Sequence, residues 1–455
     1  MRADKVKVGA IRWDAWIGDR GYQGLEVERS LSPKHYHYRV PYFGKILSDN
    51  EVIIRYGDDQ KIIDNDIRFL KASGVDYFAF LWYGGKFDPE MEGCRKAYLA
   101  SMEKSAIKWC HILGGGWCST VEEGGDEAEK LLEETVFDMD QDIYQKTDDG
   151  KPIVYFFDIR PECSIALTLL RKKLFEKCGR KLYVIGMTFF PEHAGEWGIQ
   201  LGIDAWSRYS TGDKFGAPYA QLRALEQDKW KEFEYTGKDI VPSVSAGWDK
   251  RPRAENPVLW EKDIAPELWD WHVQTAKPEE LAAHLKDGIS YACKHGNESF
   301  SSVIIYAWNE HDEGGYICPT VVDKQNGGEP AYLSAISRSL ADIRAPELAE
   351  RAPNSARLVS CGVYERGTDP GKAVESAEKM KKILSRVFGL PVPKGNGIAV
   401  SGEGAAVCFA RMFAKAGNSA FCRKAEQIFS ALPQGMSYEQ FAEAILSVLF
   451  LYDVE

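Results

Sequence analysis

The chain has 455 residues, 44% hydrophobic and 27% charged, with a formal net charge of -11. That length can bury a large core and suits one large domain plus a small one. The acidic balance argues against a nucleic-acid or anionic-membrane partner, since either needs a basic surface; the nearest basic run, Lys250-Arg251-Pro252-Arg253, is too short to change that.

The N-terminus, Arg2-Ala3-Asp4-Lys5, is polar, and no apolar h-region follows Met1. No run approaches about 18 apolar residues, so no membrane span is expected. As written the chain reads as cytoplasmic; a trimmed or mature form would be extracellular. Short β-branched or aromatic runs then recur at Val6–Trp13, Val75–Tyr83, Lys108–Trp117, Ile153–Asp158, Leu182–Phe189, Ile203–Tyr209, Ile240–Trp248 and Ser302–Asn309. Near-continuous apolar runs suit strands covered on both faces. Helical spacing appears between them, at Lys61–Ala72, Asp126–Tyr144, Ser164–Lys177, Tyr219–Phe233, Pro278–Lys294 and Tyr332–Ile343. Gly74 reads as a helix stop and Lys277-Pro278-Glu279-Glu280 as a helix start.

Eight strands alternating with helices predict an α/β fold, a (β/α)8 TIM barrel over residues 1–350. A doubly wound sheet would show a glycine-rich phosphate turn after its first strand. Strand one ends instead in Arg12-Trp13-Asp14-Ala15-Trp16, and Gly114-Gly115-Gly116 after strand three opens no Walker pattern. Long βα insertions, Ile17–Asp59 and Asp249–Lys277, are expected to rise over the C-terminal face. The second carries Trp260, Trp269, Trp271 and His272, residues suited to a sugar subsite. After a linker at Arg351-Ala352-Pro353-Asn354-Ser355, residues 351–455 predict a small helical accessory domain. Ser437-Tyr438-Glu439-Gln440 has the form of a capping box. The Val400–Phe413 and Met436–Phe450 helices hint at a repeat of the surface-layer-homology type, which would attach the barrel to a cell surface or partner.

The ten cysteines form no Cys-x-x-Cys pair and read as buried free thiols. The 13 Trp and 21 Tyr are more telling, because aromatic rings stack on the apolar faces of sugars. At the C-terminal edges of the strands stand Trp13 and Asp14, Trp82 and Tyr83, Trp117, Asp158, Thr188, Ser207 to Tyr209, Trp248 and Asp249, then Asn309, Glu310 and Glu313. Glycoside cleavage needs a protonated leaving oxygen and a stabilised cation, which two carboxyls provide. Glu310 and Glu313 are the candidate catalytic pair, expected to share a proton unequally. Trp13, Asp14, Trp82, Tyr83, Trp117, Asp158, Tyr209, Trp248, Asp249 and Asn309 are the candidate substrate-binding residues.

Three stretches, Trp82-Tyr83, Ala246-Gly247-Trp248-Asp249-x-x-Pro252-Arg253 and Ala307-Trp308-Asn309-Glu310-x-x-Glu313-Gly314, resemble glycoside hydrolase family 99 and its WbsX-like relatives. The likeness spans residues 6 to about 345. It implies retaining cleavage of α-mannosidic linkages through a 1,2-anhydro sugar, with no cofactor and no metal. Glu310 would be base to the sugar 2-hydroxyl. Glu313 would be acid to the leaving group and then base to water. His311 stands where the family has Trp, and Cys318 where it often has an acid. His35-x-His37 in the first insertion has the letters of a metal pair, without an acid cluster nearby. Two other readings stand beside the hydrolase. A glycosyltransferase would draw on Asp138-Met139-Asp140 as its Asp-x-Asp motif, although these residues read as a solvated helix face. A non-catalytic barrel would bind an oligosaccharide or polysaccharide without cutting it.

Overall fold

The structure, a computed structural model, describes residues 2–56, 59–84, 89–325 and 330–344. They belong to one compact unit, Met1–Gln325 with Pro330–Pro346. The expected linker, capping box and helical accessory domain lie outside the described residues.

Eight barrel strands occur in the expected order: β1 (Lys7–Arg12), β2 (Tyr77–Trp82), β3 (Lys108–Leu113), β4 (Ile153–Phe156), β5 (Tyr183–Met187), β6 (Ala205–Ser207), β7 (in two halves, Asp239–Ile240 and Ser243–Ser245) and β8 (Ser302–Tyr306). All are parallel, and each pairs with its sequence neighbour. β8 returns to β1 with Lys7 opposite Ser302. The break in β7 falls at Pro242, which has no N–H to give to a ladder. Its first half pairs with β6, Trp206 opposite Ile240, and its second with β8, Ser243 opposite Ile304. Val241 N still reaches Trp206 O at 2.9 Å, and Ile304 N reaches Pro242 O at 2.9 Å. One interrupted strand therefore closes the barrel.

Both faces of the strands are covered, as their unbroken apolar runs require. Inside, Tyr77 of β2 reaches across to Tyr155 of β4 and Ser302 of β8, each oxygen pair 2.7 Å apart. Alternate strands thus share one layer. Gly9 of β1 leaves the space the Tyr77 ring fills. Outside, each strand is followed by a helix. Gln60–Ser73 is capped by Asp59, which accepts from Lys61 N at 3.1 Å, and ends at Gly74 with φ 81°. Pro278–His295 starts with proline in its first turn. The last helix, Ala331–Arg344, completes the ring: Arg344 donates to Gly74 O at 2.6 Å and pairs with Asp76 at 2.6 Å.

Three expectations are corrected, and the His-x-His pair is placed. The third strand stops at Leu113, and Trp117 lies in a helix, Gly115–Glu123. The helix expected over Asp126–Tyr144 ends at Asp140. His35 and His37 sit in a 3-10 turn, Lys34–Arg39, and face different partners, Glu255 at 2.8 Å and Ser32 O at 2.8 Å. Asp138 is not a solvated residue: it is buried against Arg95 at 2.6 Å and His111 at 3.1 Å. Of the described cysteines, Cys94, Cys110, Cys118 and Cys318 are buried thiols and no disulfide is present. Among the described residues no helix is long and apolar enough to cross a membrane.

Candidate active site

β8 ends at Tyr306, four residues before the first acid, Glu310. Asn309–Glu310 and Gly315–Tyr316 then pair as a minimal antiparallel hairpin. A 3-10 turn, His311–Glu313, joins them, and Gly314 with φ 77° allows the chain to reverse. Glu310 stands immediately before this turn and Glu313 ends it. His311 turns inward, its ring 4.5 Å from Tyr316 in a stack and 5.8 Å from Trp16 edge-on. Burial holds this imidazole neutral, its pKa lowered to about 3.

The turn is held from both flanks. Asn309 is tied to the residue that follows β1: Oδ1 accepts from Trp13 N at 3.0 Å, and Nδ2 donates to Trp13 O at 2.6 Å. From the other side, Asp249 N donates to Glu313 O at 2.6 Å. Gly247 makes this approach feasible, because a Cβ there would run into the Gly314 carbonyl oxygen. The loop after β7 is thus pressed onto the acid turn, and that contact delivers Lys250 and Arg253.

The two glutamates receive opposite environments. Glu310 is buried, and its Oε1 accepts from the Tyr209 hydroxyl at 2.9 Å. Its Oε2 has no hydrogen-bond partner. Burial, followed by the negative charge of Glu313, pushes this carboxyl well above the ordinary glutamate range, against the pull of Arg253. Burial would raise Glu313 as well. There Arg253 and Lys250 outweigh it, helped by the Tyr306 hydroxyl, and hold the carboxyl at about 2. Lys250 Nζ lies 3.1 Å from Glu313 Oε1, and both Arg253 and the Tyr306 hydroxyl donate to this carboxylate. Arg253 Nε also bonds Asp312 at 2.7 Å. Burial and an unpartnered oxygen thus favour the proton on Glu310, and two cations favour the charge on Glu313.

Of the expected substrate-binding residues, Tyr209 touches Glu310 directly. Trp248 stands beside the pair, 6.2 Å from the Tyr306 ring, with the Lys250 ammonium 5.2 Å from its own ring. Trp13 lies edge-on to Trp260 with Arg253 5.5 Å from its ring. Tyr83 is near enough to Tyr209 to raise its hydroxyl, behind the main effect of burial. Asp158 lies two residues past β4 with φ 45°, one carboxylate oxygen on Arg160 at 2.7 Å and the other buried without a partner.

The rest are taken up by the framework. Asp14 is buried on Arg12 at 2.8 Å, and the same guanidinium holds Asp66 at 2.8 Å. Asp249 binds Arg39 and Arg251, which outweigh burial and lower its pKa. Trp82 is buried, stacked on His111 and bonded to Glu92 at 3.0 Å. Trp117 is buried and donates to Thr135 at 3.1 Å. Sequence reasoning passed over Lys250, Arg253, Glu261 and Tyr306. The first two were visible in the basic run and in the Trp248-Asp249-x-x-Pro252-Arg253 motif; their use as clamps on an acid was not. Among the described residues no group of three or more His, Cys, Asp or Glu could hold a metal ion.

No protein-family model and no curated protein matches the sequence. Solved structures similar to the chain include the GH99 endo-alpha-mannosidase from Bacteroides thetaiotaomicron, at 16% identity and a TM-score of 0.48, covering 77% of this chain and 100% of that one. A glycoside hydrolase-like protein is similar at 14% identity and a TM-score of 0.45, over 74% of this chain and 94% of that one. A GH27 β-L-arabinopyranosidase from Geobacillus stearothermophilus is similar at 11% identity and a TM-score of 0.33, over 74% and 77%. Likeness at this distance carries no conclusion about chemistry.

Proposed function

We propose that the chain is a glycoside hydrolase that cuts an α-linked, mannoside-like glycan between Glu310 and Glu313. One observation carries this reading: after the last barrel strand two carboxyls flank one turn in opposite surroundings, Glu310 buried with only the Tyr209 hydroxyl on it and Glu313 gripped by Arg253, Lys250 and Tyr306. Such a pair can protonate a leaving oxygen and hold negative charge beside the cation that develops. Tyr209, Trp248, Trp13 and Tyr83 supply the aromatic surround. The mannose-like substrate and the 1,2-anhydro route rest on the motif resemblance.

The resting electrostatics run opposite to the roles that the resemblance implies. Glu310 holds the proton, so we assign it the acid step. Glu313, gripped by Arg253 and Lys250, stays charged beside the developing cation; on the 1,2-anhydro route it takes the proton of the sugar 2-hydroxyl as that oxygen closes on the anomeric carbon and the leaving oxygen departs with the Glu310 proton. The Asp138-Met139-Asp140 motif that a transferase reading draws on gains no support, because Asp138 is committed to Arg95 and His111.

Aryl α-glycosides with good and poor leaving groups test both the activity and the assignment. Glu310→Gln and Glu313→Gln should each slow cleavage of an alkyl or natural glycoside about 10²–10⁴-fold. An activated dinitrophenyl leaving group needs no proton, so it should restore turnover to Glu310→Gln and not to Glu313→Gln. The reverse pattern would hand the acid role to Glu313. Undiminished cleavage in both variants would end the reading, as would glycan binding with no turnover in the unaltered chain.

A further inference from the structure

We propose that Tyr22 and Trp260 form a second sugar subsite, which takes a unit of the glycan chain beyond the bond that is cut; this rests on the glycoside hydrolase reading. The two rings come from different insertions. Tyr22 opens the helix Tyr22–Ser30 in the loop after β1, and Trp260 lies in the 3-10 turn Leu259–Ile264 after β7. Both face solvent, at 52% and 39% exposure. A single exposed ring is unremarked on a protein surface. Here two of them meet, 6.3 Å apart and edge to face.

Their positions are fixed in advance. Glu26 accepts from Leu259 N at 3.1 Å and pairs with Arg29 at 2.7 Å, and Arg29 donates to Pro257 O at 2.5 Å. Glu261, the residue after Trp260, is bound by Lys250. Polar bonds on both sides of Trp260 thus spend the ordering entropy before any ligand arrives, which favours binding.

Continuity with the acid pair identifies the occupant. Trp260 stands 5.9 Å from Trp13, edge-on. The Arg253 guanidinium is 5.5 Å from each of these two rings, and its nitrogens hold Asp312 and Glu313. A chain of packed side chains therefore links Glu313 through Arg253 to Trp13 and Trp260, which fixes the exposed ring pair close to the acids. A pyranose offers an apolar C–H face to a ring and hydroxyls to the solvent around it, which matches an exposed Trp beside a Tyr. In this reading the next unit of the glycan lies on these two rings.

Calorimetric titration of the full-length Glu310→Gln protein with α-mannan oligosaccharides, from disaccharide to hexasaccharide, tests this. Affinity should rise with chain length. Adding Trp260→Ala or Tyr22→Ala should remove about tenfold of that rise, 1.4 kcal/mol, and Trp260→Phe should keep most of it. Equal weakening for short and long ligands would mean that the ring only braces Arg253, and would overturn the subsite. So would affinity that does not grow with length, or the absence of binding. Turnover of aryl α-glycosides by the unaltered chain is read separately: its absence defeats the hydrolase reading, whereas turnover with unaltered length dependence in Trp260→Ala defeats the subsite alone.

Discussion

Arg253 decides what Glu313 is. Its guanidinium is buried and shared between Asp312 and Glu313, so both carboxylates depend on it. The Glu313 pKa, about 2, lies below the ordinary glutamate value of about 4.3. A depressed carboxyl stabilises the folded state above its unfolded pKa, and that contribution disappears as pH falls towards the folded one. Arg253→Met leaves two buried charges with reduced compensation and should cost about 3–5 kcal/mol at neutral pH. The deficit should shrink on acidification, as the carboxyls take up protons. Urea unfolding of both proteins at pH 7 and pH 4 measures it; an equal deficit at both would show that the loss is packing, not charge. At the same scale, Glu310 and Glu313 were legible as a pair from their spacing after an apolar run. Which of them keeps the proton was not, because Lys250 and Arg253 lie some sixty residues earlier.

At the scale of elements, β7 and the helices packed outside it bury a second polar group. Glu226, on the helix Tyr219–Lys231, accepts from Ser245 N at 2.7 Å and from the Ser245 hydroxyl at 2.8 Å. Burial lifts its carboxyl to about 7. His284, on Pro278–His295, faces it at 3.4 Å and is held down at about 3 by burial. Between about pH 4.3 and 6.5 the folded state keeps a proton on Glu226 that the unfolded chain releases, and refuses one on His284 that the unfolded chain binds. The two slopes oppose each other. Glu226→Gln removes the first, so its stability should fall on acidification more steeply than that of the unaltered chain, by about 1.4 kcal/mol per pH unit. Parallel stability curves would refute this. Neither residue drew notice in the sequence, since one acid and one histidine on separate helices carry no pattern. The strands themselves were legible, because apolar runs bounded by polar loops signal a covered sheet. The interruption of β7 at Pro242 was not read out, nor was the hairpin that replaces the end of β8.

For the whole molecule, the barrel ring is complete only with Ala331–Arg344, whose Arg344 bonds the loop between the helix Gln60–Ser73 and β2. We propose that the domain boundary lies just beyond it, near residue 350. A chain ending at residue 350 should unfold cooperatively with a midpoint close to that of the full chain. A chain ending at residue 329 should fail to fold, since it loses Leu333, Ile336 and Leu340, all buried, and uncovers the surface they pack on. Thermal unfolding followed by circular dichroism distinguishes the two; a shorter chain as stable as the longer one would move the boundary.

The sequence by itself determined the barrel, its strand order, both insertions and the two acids, because each is written locally: in apolar periodicity, in a glycine or proline at a helix end, in residues three apart. Tertiary structure alone decided that Asp14, Trp82, Trp117, Asp249 and Asn309 brace the framework, that a basic run from the loop after β7 fixes the charge on Glu313, and that the two insertions join their aromatic rings. Each of those outcomes depends on which distant residue arrives at a given atom. Burial and Coulomb interaction act through space, and spacing along the chain does not record them.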